Sequence, residues 1–113
     1  MTDTTDEKDF LTRADAQLAL IESALEKAQE AEVADFDFEL KPGGIIEIEF
    51  ADGSKIIINR HAAAREIWLA ARSGGFHFRW DGAQWRGTRD GEELLAAISR
   101  CASQQAGTAI ALA

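Results

Sequence analysis

The spacing of the apolar residues changes near Val33, and this change constrains the fold more than any other feature of the chain. Before it, apolar side chains recur in steps of three and four, at Leu11, Ala14, Leu18, Ile21, Leu25 and Ala28. Such spacing lines one face of an amphipathic helix, which we predict over residues 10–31. After Val33, apolar and acidic residues alternate from Ala34 to Leu40, which predicts a strand with one apolar and one acidic face. A helix therefore leads into a β-sheet.

Turn residues divide the rest of the chain into short strands and a second helix. The turn signals KPGG, DG, SGG and DG separate or bound strands predicted at residues 46–50, 55–60, 67–71, 76–80 and 84–86. Asp90 is a candidate N-cap for a helix that reaches about Ala106 and stops at Gly107. The predicted fold class is α+β: a two-layer sandwich with two terminal helices packed on one face of an antiparallel sheet, in the order α-β6-α.

Length, charge and cysteine content limit the kind of protein. The 113 residues predict a single domain over residues 1–113, of which about 1–8 form a disordered acidic N-terminus. One cysteine makes neither an internal disulfide nor a thiolate metal site, and no apolar run approaches the roughly 20 residues of a membrane span. The net charge of -8 disfavours contacts with phosphates. We expect a cytoplasmic monomer that binds neither nucleic acid nor membranes.

The acids are concentrated in the first third of the chain, where like charges are repeatedly placed side by side. Residues 1–39 contain 12 of the 20 acids. Glu22, Glu26 and Glu30 are successive i, i+4 neighbours on the predicted helix. If Phe38 faces Ile48 across a hairpin, two more like-charge pairs oppose each other, Asp37 with Glu49 and Glu39 with Glu47. Any one acid is most simply a solvated surface residue, but selection for stability would remove such repeated repulsion. We therefore predict that these carboxylates either bind oxygen-preferring cations such as iron, manganese or calcium, or dock a basic protein face.

The chain shows few signs of catalysis and one sign of an interface. It has no nucleophile elbow, phosphate-binding glycine loop or Cys-x-x-Cys motif, so we do not expect an enzyme and predict no catalytic or cofactor-binding residue. Strand alternation places Trp68 on the open face of the sheet, near Asn59 and His77, where a large aromatic side chain is typical of an interface anchor. Trp80 and Trp85 are assigned to the core or to packing at the end of the sheet, and Cys101 to an inert buried thiol.

Four segments resemble the frataxin family, of the bacterial CyaY type. They are GSKIIINR at residues 53–60, IWLA at 67–70, SGGFHF at 73–78 and SQQAG at 103–107. The resemblance covers about residues 10–107. It implies the helix, sheet, helix sandwich that the periodicity predicts independently.

The resemblance also implies a function in iron-sulfur cluster assembly. Frataxins bind ferrous and ferric iron weakly through carboxylates of the first helix and strand, and they associate with the cysteine desulfurase and its iron-sulfur scaffold protein. By position, these carboxylates form what we call the acidic ridge: Glu22, Glu26, Glu30, Glu32, Asp35, Asp37 and Glu39. Ser23 and Lys27 stand where relatives are commonly acidic, so the helix part of the ridge is thinner.

Partner contacts in the resembled family fall on Asn59 and Trp68, and we expect His77 to join them. The predicted function is an iron-binding regulator or iron donor that acts on the desulfurase-scaffold complex and that oligomerises with iron. The alternative is a metal-independent acidic adaptor or inhibitor that binds a basic protein face. The two hypotheses differ in whether the acidic ridge ever needs metal.

Overall fold

The structure, a computed structural model, describes residues 4–112 and confirms the predicted architecture. Two helices pack on one face of a six-stranded antiparallel sheet whose strands are paired in chain order. The elements are α1 Thr4–Glu30, β1 Phe36–Lys41, β2 Ile45–Phe50, β3 Lys55–His61, β4 Glu66–Ala71, β5 Gly74–Trp80, β6 Trp85–Gly87 and α2 Leu94–Ala106. Within residues 4–112, neither helix carries an apolar stretch long enough to cross a lipid bilayer.

The core lies between the helices and the apolar face of the sheet. Its side chains are almost completely shielded from solvent, among them Ile21 and Leu25 of α1, Leu94 and Ile98 of α2, and Ile48, Ile58, Leu69 and Phe78 of the sheet. Burying each such side chain contributes about 1.5–3 kcal/mol. The hairpin of β1 and β2 has the predicted register, with Phe38 opposite Ile48. Leu40 is an exception to the predicted apolar face: it lies near the end of the edge strand β1, beside a groove along α1, and is 51% exposed.

Helix α1 begins earlier than the sequence predicts. Residues 4–8, predicted to be disordered, are helical, and the rest of the predicted tail, residues 1–3, lies outside the described residues. Two interactions account for the longer helix. Asp6 and Glu7 lie in the first turn, where negative charge favours the helix dipole. Phe10 is buried edge-on against Trp85, with ring centroids 6.0 Å apart.

Helix α2 is capped by Glu93 and not, as predicted, by Asp90. The Glu93 carboxylate accepts hydrogen bonds from the amides of Leu95 and Ala96 at 2.9 and 3.2 Å. Pairing of Glu93 with Arg86 of β6 holds its backbone extended, which is the conformation that an N-cap needs. Asp90 instead accepts the amide of Glu92 within the preceding turn. The predicted stop at Gly107 is confirmed, since this residue is left-handed with φ 74°.

The segment after α2 returns onto the helix. Ile110 and Leu112 are buried. The backbone amide of Ile110 donates to the hydroxyl of Ser103, and that of Leu112 donates to the hydroxyl of Ser99, at 2.9 Å each. Cys101 is buried as predicted. The segment therefore adds two apolar side chains to the core.

Of the two tryptophans assigned to the core or to the end of the sheet, one lies in the core and the other at the end of the sheet. Trp85 is 2% exposed and belongs to the core. Trp80 is 36% exposed and packs edge-on against Trp85 at the end of the sheet, with centroids 5.8 Å apart.

Candidate functional site

A tight connection between α1 and β1 positions the middle of the acidic ridge. The amide of Val33 bonds the carbonyl of Ala28, and the amide of Glu32 bonds that of Gln29, which is the Schellman pattern of a helix end. Glu32 occupies the left-handed position of this motif with φ 55°, where glycine is usual. The side chain of Gln29 donates to the carbonyl of Phe36 at 3.0 Å and ties the strand to the helix.

The structure divides the acidic ridge among neighbouring concave surfaces. Glu32 and Asp35 line a cavity of about 470 Å³ at the junction of α1 and β1. Asp37 and Glu39 line a second, of about 340 Å³, on the open face of the sheet. Of the helical carboxylates, Glu22 lines a groove beside β1 and β2, and Glu26 and Glu30 are exposed on α1.

Two further acids share the open-face cavity with Asp37 and Glu39. The predicted like-charge pairs are confirmed, because Asp37 lies opposite Glu49 and Glu39 opposite Glu47. Glu47 and Glu49 were predicted to lie across from the ridge, with no function. In the structure they line the same cavity. Strand register is the signal that could have added them.

Ion pairing separates the acidic ridge from six other acids of the molecule. Within residues 4–112, none of the seven ridge carboxylates forms an ion pair or a hydrogen bond. Ion pairs are instead formed by acids outside the ridge, namely Asp15, Glu47, Asp52, Glu66, Asp81 and Glu92. The ridge carboxylates are thus left without ion-pair partners.

Glu47 illustrates the contrast with its neighbours. It lies 2.8 Å from Lys41 and 3.0 Å from Lys55, and the hydrogen bonds from these two ammonium groups hold its pKa below the ordinary value of 4.5. Glu39 faces Glu47 across the hairpin and forms no such bond. The hydrogen bond to Glu47 raises the pKa of Lys41, and the charge of Glu39 raises it further. The open-face cavity therefore holds compensated and uncompensated carboxylates side by side.

The acidic ridge does not form a preformed metal cage. In the part of the chain that the structure describes, no three Asp, Glu, His or Cys side chains converge closely enough to hold a metal ion. Carboxylate oxygens are nevertheless the donors that hard and borderline cations prefer. This donor set fits a cation bound weakly at the surface by one or two carboxylates and water.

The three predicted partner-binding residues lie in one row across the open face of the sheet. Asn59 of β3 pairs with Trp68 of β4, and Trp68 pairs with His77 of β5. Trp68 is stacked between two imidazoles, with its ring centroid 3.8 Å from that of His61 and 4.4 Å from that of His77. The predicted position on the open face is confirmed, but Trp68 is held in a fixed stack and is half-buried.

Glu66 contacts this aromatic stack, a role that was not predicted from the sequence. Its buried carboxylate accepts the indole N–H of Trp68 at 2.8 Å and the Nε–H of Arg79 at 2.7 Å, and Nδ1 of His77 lies at 3.3 Å. Burial alone raises the pKa of Glu66, but the bonds from Arg79 and Trp68 and the nearby charges outweigh it and lower the pKa. Glu66 is two residues before Trp68 and thus on the same face of β4, which is the sequence signal for the pair.

Comparisons with known proteins point to a single family. The model of the frataxin-like domain matches residues 3–108. The iron-sulfur cluster assembly protein CyaY of Dechloromonas aromatica is 61% identical over 107 residues, which cover 95% of this chain and 98% of that protein. The protein of the same name from Cupriavidus pinatubonensis is 52% identical, with 94% and 95% covered.

Solved structures agree with these sequence matches. Frataxin from Psychromonas ingrahamii superposes with a TM-score of 0.81 at 27% identity, covering 93% of this chain and 95% of that one. Trimeric frataxin from the yeast Saccharomyces cerevisiae, complexed with ferrous iron, superposes with a TM-score of 0.70 at 26% identity, covering 84% and 86%. The helix, sheet, helix arrangement is therefore shared with structures of both bacterial and yeast origin.

Proposed function

This chain belongs to the frataxin family, and from that premise we propose that it is a non-enzymatic, iron-binding regulator or iron donor for iron-sulfur cluster assembly in the cytoplasm. It acts on the complex of a cysteine desulfurase and its scaffold protein. Support comes from relatives that are named for cluster assembly and from a yeast relative complexed with ferrous iron.

The uncompensated charge of the acidic ridge is the observation that carries this proposal. Lysines and arginines neutralise acids elsewhere on the same molecule, so the chain does contain basic side chains that pair with carboxylates. On the ridge, like charges adjoin along α1, and Asp37 faces Glu49 across the hairpin of β1 and β2; both arrangements are destabilising. Opposite Glu39, by contrast, Lys41 and Lys55 neutralise Glu47. A cost to folding that is confined to one surface is typical of a surface kept for binding.

The geometry favours weak and exchangeable binding of iron. The ridge carboxylates surround open concave surfaces, and no three ligands converge in residues 4–112. Ferrous and ferric ions accept carboxylate oxygens together with water, so each can bind such a surface without a cage. A weakly held ion can be passed to a partner, and carboxylates of separate copies can share one ion. We therefore expect a monomer that self-associates when iron is added.

The row of Asn59, Trp68 and His77 supplies the second contact. Trp68 is rigid, because it is stacked on both faces and bonded at its indole N–H. A pre-ordered aromatic side chain loses little conformational freedom on binding, which suits an interface anchor. We assign this row to the scaffold protein and the acidic ridge to iron and to a basic face of the desulfurase.

A metal-independent acidic adaptor or inhibitor is the second candidate. The lack of three converging ligands within the described residues favours it, because a basic protein face needs charge density and no coordination geometry. Both candidates use the same ridge. They differ in whether ferrous iron changes the affinity for the desulfurase.

Two matched variants test the proposal, each of which removes four negative charges. The ridge variant replaces acids by their amides at Glu22, Glu26, Asp35 and Asp37. The control variant does the same to ion-paired acids outside the ridge, at Asp15, Asp52, Asp81 and Glu92. Association with the desulfurase is measured over a range of salt concentrations, with and without ferrous iron.

We expect the ridge variant to bind the desulfurase more slowly and with a flatter dependence on salt, because its steering charge is gone. The control variant should keep the steep salt dependence of the parent. Equal losses in the two variants would show that net charge alone matters and would contradict the proposal. If ferrous iron changes the affinity of the parent for the desulfurase, the protein is the regulator or donor. If it does not, the protein is the adaptor or inhibitor.

A further inference from the structure

A cleft of about 480 Å³ lies near the start of α1, away from the acidic ridge. Its walls come from α1, from the β3–β4 connection and from the end of β5, and they include Phe10, Arg13, Arg65, Arg79 and Trp80. Arg13 and Glu22, the first carboxylate of the ridge, are nine residues apart on one helix, which corresponds to about 14 Å at 1.5 Å per residue. The cleft is thus a separate feature of the surface.

Three arginines line this cleft in a chain whose net charge is -8. The guanidinium of Arg13 lies over the Trp80 ring, 5.2 Å from its centroid, and forms no ion pair with a carboxylate in the described part of the chain. Arg65 donates to the backbone carbonyl of Ala62. Arg79 is the paired one, through Nε to Glu66, yet its side chain remains 64% exposed.

Among the described residues that line the cleft, guanidinium groups outnumber carboxylates. Asp6 lines the cleft, and Glu66 binds Arg79 at its edge. The three arginines still outnumber these two acids. Where Arg79 uses Nε for Glu66, its terminal nitrogens can bind elsewhere.

The backbone of the β3–β4 connection places the second arginine. Arg65 has a left-handed φ of 58°, and its amide bonds the carbonyl of Ala62 at 3.2 Å. This tight turn brings Arg65 to the cleft beside Ala63, which is exposed and also lines it. The cleft is therefore built from a defined turn, a helix and a strand end, and not from mobile side chains on one element.

We propose that this cleft binds a small, multiply charged oxyanion that carries phosphate or carboxylate groups. Planar guanidinium groups match the oxygens of both in two-pronged contacts, and ligand sites typically measure about 300–1,000 Å³. Phe10 and Trp80 supply an apolar wall that holds the guanidinium of Arg13 in place. The acids elsewhere on the molecule repel a long polyanion such as nucleic acid but do not block a small one.

The test adds inorganic phosphate, citrate or ATP to the full chain and follows backbone amide and arginine Nε–H signals by NMR. We expect saturable shifts confined to residues 10–13, 63–65 and 79–80, and the three probes distinguish phosphate from carboxylate as the recognised group. Ala63→Glu adds a repelling charge to the cleft without removing any contact. It should weaken binding about tenfold or more, the scale of losing one charge-assisted contact.

Two controls make the test specific. Ala51→Glu adds the same charge at an exposed turn, and Arg72→Gln removes a guanidinium that is paired with Asp52, so both should bind as the parent does. Arg13→Gln should weaken binding as Ala63→Glu does. Equal weakening by Ala63→Glu and Ala51→Glu would overturn the proposal. The absence of localised shifts with all three probes at millimolar concentration would do so as well.

Discussion

The stack of Trp68 between two imidazoles predicts a graded loss of stability when this side chain is shortened. Trp68→Phe keeps a ring between His61 and His77 but removes the indole N–H that bonds the Glu66 carboxylate. Losing a hydrogen bond to a charged group costs about 1.5 kcal/mol at the lower end of its range. Trp68→Ala also loses two ring contacts of about 0.5–1.5 kcal/mol each, so its total cost is about 3 kcal/mol. The fold should persist in both, because the core lies on the other face of β4.

Urea unfolding followed by far-ultraviolet circular dichroism measures both changes, because the backbone dominates this signal. We expect Trp68→Phe to lie between the parent and Trp68→Ala in free energy of unfolding. Glu66→Ala supplies the control: combined with Trp68→Phe it should cost less than the sum of the single changes, because both remove the same bond. Additive costs, or no loss in either variant of Trp68, would refute the reasoning from the stack.

Three further predictions concern single features of the fold. Because the pKa of Glu66 is lowered in the folded protein, its bonds stabilise the fold above the ordinary pKa of 4.5, and this stabilisation is lost as the pH falls through the folded pKa. Glu66→Gln should thus be less stable than the parent near neutral pH. Urea unfolding at successively lower pH should show the difference in stability shrinking. Deleting residues 108–113 exposes or removes Ile110 and Leu112 and should lower the free energy of unfolding by about 3 kcal/mol, whereas an unchanged urea midpoint would contradict the packing seen. Glu32→Gly relieves a left-handed backbone and should raise stability by about 0.5–1 kcal/mol in thermal melts, a gain that Glu32→Ala should lack.

The layers of the fold follow from the sequence because periodicity and turns agree. The alternation from Ala34 to Leu40 and the KPGG turn were enough to predict the register of Phe38 with Ile48, since a slip by one residue would expose the whole apolar face. Details that depend on tertiary neighbours were not predictable in this way. Pattern alone does not show that Leu40 stays exposed beside the groove along α1, nor that pairing with Arg86 makes Glu93 the cap.

The candidate site shows the same division between pattern and neighbours. The like-charge pairs Asp37 with Glu49 and Glu39 with Glu47 could be predicted from register. The sequence did not predict which acids are neutralised, because the bonds of Glu47 come from lysines at the ends of two different strands. Pairing across space therefore decides which carboxylates remain available.

An anaerobic titration with ferrous iron, followed by the backbone amide signals, tests the central claim that the acidic ridge binds metal. We predict that paramagnetic broadening in the parent is confined to residues 22–39 and to the facing Glu47 and Glu49. The control variant, in which paired acids are amidated, should show the same pattern, and the ridge variant should lose it. Broadening that is absent in the parent, or that centres on the paired acids Asp52 and Asp81, would contradict the account.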